Sequence, residues 1–205
     1  MKQVIRRSVF ETNSSSMHSI AISKYDSHYT DQEVYDSFNY FDKHYGRQED
    51  LHIQFFEAYG YHNDKSALRF GRYPFRILST FCDKLRYYIA SRSNIWEDKD
   101  YTKFLNHIME RYPRIKSFEF TKTPEYEKEY TDNIYDYGYI DHESREMLFS
   151  FLLKKNIDID EFLTNRKYII FVDGDEYAVS THLVKSNILE LEEPLFMGGD
   201  FSYVN

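Results

Sequence analysis

The densest run of side chains able to do chemistry opens the chain: Arg6-Arg7-Ser8-Val9-Phe10-Glu11-Thr12-Asn13-Ser14-Ser15-Ser16-Met17-His18-Ser19. Hydroxyls, an amide, an imidazole and a carboxylate stand together here, between stretches 4–10 and 17–24 that read as extended. Asn13, Ser14, Ser15 and Ser16, with exposed backbone N–H groups, suit contact with a phosphate or a sugar. Arg6 or Arg7 would supply the charge, at most one of them on a given strand face. A loop of this composition equally suits a turn whose hydroxyls bond their own backbone. One of the three serines, activated by His18 with Glu11 behind it, would make a nucleophile, although geometry and not proximity in sequence defines such a triad.

Two further segments are set apart by charge. Between Lys65 and Arg92 seven Lys or Arg residues face one acid, Asp83, a local +6. Arg69, Arg72 and Arg76 are spaced three and four apart, with Phe70, Tyr73 and Phe75 between them to offer stacking faces. A helix beginning near Pro74 would add its N-terminal N–H groups to an anion site. An ordinary solvated basic face is the alternative. Between Glu125 and Glu146 eight acids face Lys128 and Arg145, a local −6, with Tyr126, Tyr130, Tyr135, Tyr137 and Tyr139 threaded through. Acids with exposed tyrosines can imitate a phosphate backbone and occupy the nucleic-acid channel of a partner. The same segment can serve as a solubilising loop.

Residues 6–19 resemble the start of a set of small uncharacterised proteins of bacteriophages and Firmicute prophages, which share an RR-x-VFETNSSS-x-HS beginning. The resemblance covers about the first twenty residues and carries no activity with it. It implies a phage setting, in which small accessory proteins manage host metabolism or host defence.

Other spacings are rejected. His28-Tyr29-Thr30 and His142-Glu143-Ser144 match the His-x-Ser/Thr pattern of two-histidine phosphoesterases, but their neighbourhoods are acidic and loop-like rather than apolar strands. Asp173-Gly174-Asp175-Glu176 lacks the remaining ligands of a calcium loop and reads as a hairpin turn. The eight histidines are scattered and Cys82 is the single cysteine, so neither a metal nor a cofactor is expected.

The elements that must position these groups follow from periodicity. Asp31 can cap a helix carrying Val34, Tyr35, Phe38 and Phe41, ending near Gly46, and 51–59 returns to strand character. Pro74 opens a helix with Phe75, Leu78, Phe81, Leu85, Tyr88 and Ile89 on one face, and a second helix runs from Asp98 to Tyr112, stopped by Pro113. Ile115–Thr121 alternates as a strand, 145–155 reads as a short helix, 167–172 as a buried strand and 176–179 as its return. The aliphatic-poor stretch 123–144 reads as a peripheral acidic excursion, at least partly mobile. The predicted fold class is α+β, a mixed or mostly antiparallel sheet with three to five helices in a single domain spanning 1–205.

Bulk composition sets the frame. At 205 residues, 41% hydrophobic, with mean hydropathy −0.68, the chain can close one core and has no window of membrane-spanning character. Twenty Tyr, seventeen Phe and one Trp make 19% of it, so aromatic mass is expected to build that core, laced with tyrosine hydrogen bonds. Net charge of −8 argues against general nucleic-acid affinity and against anionic membranes. The lone cysteine and an opening without an apolar leader point to the cytoplasm, the host's if the gene is a phage's.

Three readings follow. The first is an accessory, anti-defence type of protein that binds a nucleotide or similar phosphorylated ligand through the amino-terminal polar loop and the basic helix start. The second is an acidic inhibitor that docks on a host protein through 123–144. The third is a hydrolase or transferase using the Ser/His/Glu group. Non-catalytic binding is preferred, and the sequence leaves the oligomeric state open.

Overall fold

The computed structural model describes residues 17–38, 50–55, 68–70, 76–93, 95–140 and 146–173, together with the backbone of 191–197. Within these residues five α-helices stand with antiparallel and parallel strand pairings, an α+β fold. Three short strands are β2 (Leu51–Phe55), β3 (Arg69–Phe70) and β4 (Arg76–Leu78), and the first strand, β1, is Met17–Ser23. Later strands are β5 (Ile115–Phe120), β6 (Tyr139–Ile140), β7 (Tyr168–Asp173) and β8 (Leu191–Met197). The largest sheet has the order β4-β7-β1-β8, with every pairing antiparallel, while β2 pairs with β5 and β3 with β6 in parallel.

The helices are α1 (Asp31–Asp36), α2 (Phe81–Ser91), α3 (Asp98–Arg111), α4 (Met147–Lys155) and α5 (Ile159–Thr164). Their ends follow from short-range chemistry. Thr30 and Glu33 form a reciprocal capping box at α1, and Thr80 and Asp83 form another at α2, each satisfying two orphan N–H groups. Asp158 caps α5 by accepting from Glu161 N at 2.7 Å. Helix α4 stops at Asn156, whose φ of 53° is the left-handed conformation that asparagine tolerates.

One expectation is corrected here. The periodicity predicts a helix from Pro74 onward, yet Arg76–Leu78 is a strand registered against Ile170, Phe171 and Val172, and the helix begins only after Thr80. Sheet pairing outweighs a helical apolar period that Phe81, Leu85, Tyr88 and Ile89 continue to obey. Helix α1 is also shorter than predicted, while α5 falls where no helix is predicted.

The core is aromatic, as the composition suggests. Centroid separations of 5.0 to 6.3 Å link Tyr88 to Phe104, Phe104 to Trp96, Trp96 to Tyr101, Phe120 to Phe55, Phe55 to Phe118, Phe118 to Phe38, Phe38 to Phe81, Phe81 to Tyr112 and Tyr112 to Tyr35. Tyr137 closes the gap, 3.6 Å from Tyr101 and 4.8 Å from Phe120. These contacts bring helices α1, α2 and α3 and the β2/β5 pair into one hydrophobic body.

Candidate functional site

Of the residues singled out in the sequence, Arg6, Arg7, Glu11, Asn13, Ser14, Ser15, Ser16 and Arg72 lie outside the described residues. So do His142, Gly174 and the proposed return strand 176–179. His18, Arg69 and Arg76 are described, and the structure puts them in three different roles.

His18 belongs to the interior. Sheet alternation sets it on the same face of β1 as Ile20, and it is fully buried, with Nδ1 2.7 Å from the hydroxyl of the equally buried Tyr87 of α2. Arg76 occupies the same row of the sheet, since Val172 of β7 is paired with His18 on one side and Arg76 on the other. The guanidinium of Arg76 lies 5.9 Å from the ring of buried Phe70, that of Arg86 lies 5.7 Å from the same ring, and Phe70 packs edge-on against Tyr87 at 5.0 Å. The imidazole and the basic segment thus converge, but on a strand row and not at a helix N-terminus. Helix α2 begins after Thr80 and not near Pro74, and its own Asp83 carboxylate accepts from Thr80 N and Thr80 Oγ1.

Arg69 turns toward the acidic segment, 3.4 Å from Asp136 and 3.6 Å from Glu127, with its guanidinium 5.5 Å from the ring of Tyr139. Part of the +6 charge is therefore used to hold part of the −6 charge in place.

The acidic segment itself is built into the fold. After β5 the chain makes a 3-10 turn at Glu125–Glu127 and returns so that Thr123 N donates to Ile134 O at 3.0 Å and Asp136 N to Thr121 O at 2.8 Å. Thr123 Oγ1 donates to Asn133 O at 2.8 Å, and Asn133 Nδ2 donates to Trp96 O at 3.0 Å. Asp98, in the first turn of α3, accepts from Ile134 N and from the Tyr137 hydroxyl, each at 2.9 Å. Tyr137 is buried and Ile140 is almost wholly so. Gly138 makes the return possible: its φ of 77° is left-handed, and a Cβ there would lie 2.0 Å from Leu68 O. Peripheral placement holds only for the outer side of the segment. Tyr130 is 76% exposed and Ile134 60%, and the same stretch of chain carries the exposed acids Glu125, Glu129 and Asp132.

Lys84 is a site-like feature that the sequence analysis passes over. It sits fully buried in α2 and donates to Phe162 O at 2.9 Å and Asn165 O at 2.7 Å, with the rings of Tyr29 and Phe162 at 4.9 and 5.6 Å. Burial pulls its pKa down to about 7, against the opposing charge of Glu161. Its hydrogen bonds end on carbonyls at the C-terminus of α5, so it closes that helix instead of meeting solvent. Position 84 lies three residues after Phe81 and four before Tyr88, within the apolar stripe of α2, so the helical period places it inward while its charged residue type argues for the surface.

A cleft of about 300 Å³ beside it is lined by His28, Tyr29, Arg111, Asp160 and Glu161. Its polar side chains are paired, with His28 3.4 Å from Glu161, His107 3.0 Å from Asp160 and Arg111 3.6 Å from Asp31. No group of three His, Cys, Asp or Glu among the described residues is arranged to hold a metal ion, and burial pushes the Cys82 thiol upward, away from nucleophilic character. No helix among the described residues is long and apolar enough to cross a membrane. The chain matches no family model, no curated protein and no solved structure.

Proposed function

We propose that this is a non-catalytic binding protein whose working surface is the outer side of 123–140, an acidic, tyrosine-bearing shelf that docks on a basic surface of a partner protein. One observation carries the reading. The segment is clamped to the core through Tyr137 and Asp98, which also accepts from Ile134 N, yet Tyr130 and Ile134 remain exposed in a stretch that carries the exposed acids Glu125, Glu129 and Asp132. A solubilising loop needs no such clamp and no exposed isoleucine. A prearranged set of aromatic, apolar and acidic groups loses little freedom on binding, and its charge steers a basic partner toward it. With the phage resemblance of the opening residues, the proposal becomes an accessory or anti-defence protein acting on a nucleic-acid-binding protein in the host cytoplasm.

The test is capture of partners from a bacterial lysate by the wild type and by a Tyr130→Ala, Ile134→Ser, Asp132→Asn variant, with duplex DNA as competitor. A partner held by the wild type, lost by the variant and displaced by DNA is the expected result. Equal capture by both proteins overturns it.

A second reading, a site for a phosphorylated small molecule, is favoured by the row His18–Val172–Arg76, which brings the strand following the polar stretch within one strand of the basic segment. Native mass spectrometry of protein taken from cells separates the two, since only this reading expects a retained phosphorylated ligand.

A further inference from the structure

A second cleft, of about 530 Å³, opens between α2, α4 and α5. Its floor and rim are apolar, with Leu152 and Ile157 inside and Leu153, 71% exposed, and Phe149, 51% exposed, at the edge. Arg92 lines it. The Arg92 guanidinium lies 4.7 Å from the ring of Tyr88, 5.1 Å from Phe149 and 5.5 Å from Trp96, and one terminal nitrogen donates to the Tyr88 hydroxyl at 3.3 Å. Its Nε is buried without a hydrogen-bond acceptor, and no carboxylate among the described residues pairs with it. Asp158 also borders the cleft, but its carboxylate accepts from Glu161 N as the cap of α5.

A guanidinium held among three rings, with donor capacity to spare and an aliphatic wall beside it, is complementary to a carboxylate that carries an apolar body. The aromatic contacts hold the cation in place without neutralising it, and although the buried Nε is out of a ligand's reach, a carboxylate in the cleft would add charge-assisted hydrogen bonds at the terminal nitrogens. We propose that this cleft binds a small amphipathic carboxylate, of the long-chain fatty-acid type, with its head on Arg92 and its chain along Leu152, Leu153 and Ile157. The dimensions favour a small molecule over a docked protein helix. The volume lies in the range of small-ligand sites, whereas nine residues of α4 offer an apolar stripe only about 13 Å long, too little for a stable protein interface. This inference stands independently of the acidic shelf.

Trp96 is the single tryptophan and packs against Arg92, so its fluorescence reads the cleft directly. The full chain is titrated with sodium dodecanoate below the concentration at which the probe self-associates, with dodecanol and dodecyltrimethylammonium as controls. A saturable change with dodecanoate alone is expected, weakened about tenfold or more in Arg92→Met and in Leu153→Glu, which sets a like charge at the exposed rim. Should Arg92→Met fail to fold, Leu153→Glu decides the matter, because that side chain lies mostly in solvent. Absence of saturation, equal response to dodecanol, or unchanged affinity in Leu153→Glu overturns the proposal.

Discussion

The ring of Tyr137 lies flat against that of Tyr101, centroids 3.6 Å apart and planes 14° from parallel, while its hydroxyl donates to Asp98 at 2.9 Å. Through this one side chain the acidic segment is joined to helix α3 at both an apolar and a polar contact. Tyr137→Ala is therefore expected to cost about 3 kcal/mol, and Tyr137→Phe, which leaves Asp98 short of a donor, about 1 to 2 kcal/mol. Urea denaturation of the two variants measures both. Limited proteolysis adds a local readout: cleavage within 123–140 should be slow in the wild type and fast in Tyr137→Ala.

Gly138→Ala should destabilise the protein by about 2 kcal/mol or more, since the new methyl group meets the Leu68 backbone and the φ of 77° is unfavourable for alanine. A melt equal to that of the wild type would show that the Leu68–Gly138 approach is not rigid.

Lys84 gives the pH dependence a definite sign. Its folded pKa of about 7 lies below the ordinary 10.5, so between these values the unfolded chain binds the proton that the folded chain has released. Stability contributed by this group rises with pH through that window, by up to about 1.4 kcal/mol per unit, and is lost below it. Above about pH 10 the buried tyrosines Tyr87 and Tyr29, whose pKa values burial raises, oppose further gain. Urea midpoints at pH 7, 8 and 9 should climb in the wild type. Lys84→Met, which also strips the Phe162 and Asn165 carbonyls of their donor, should be less stable throughout and lose the climb.

His18→Ala is expected to lower the melting temperature, because it leaves the buried Tyr87 hydroxyl without its partner at a cost of about 1 to 3 kcal/mol. An unchanged melt would show that the His18–Tyr87 contact contributes nothing to stability.

The fate of His18 shows what the sequence could tell and what it could not. As one polar residue among Asn13, Ser14, Ser15 and Ser16 it reads as a ligand contact, but the strand alternation that sets it on the face of Ile20 was available to place it inward. Helix α3 was legible because its apolar period and the stop at Pro113 agree with the tertiary contacts. Helix α2 was legible from Phe81 onward, where Thr80 and Asp83 spell a capping box, and misread before it, because pairing of 76–78 with β7 depends on residues nearly a hundred positions away. The α5 signal, Asp158 followed by Ile159, Phe162 and Leu163, was present and missed. The stretch 123–144 reads as peripheral for want of aliphatic residues, yet within its described part, 123–140, Tyr137 and Ile140 are buried by aromatic stacking and strand pairing, which a count of aliphatics does not see.

The working surface assigned to 123–140 is tested most directly by placing a photoreactive amino acid at Tyr130 and, in a second protein, at Tyr25, which is 69% exposed and outside the segment. Illumination in a bacterial lysate should yield a discrete covalent adduct with one protein from position 130, abolished by Ile134→Ser and by competing duplex DNA, and no such adduct from position 25. The same adducts from both positions, or none from position 130, would contradict the account.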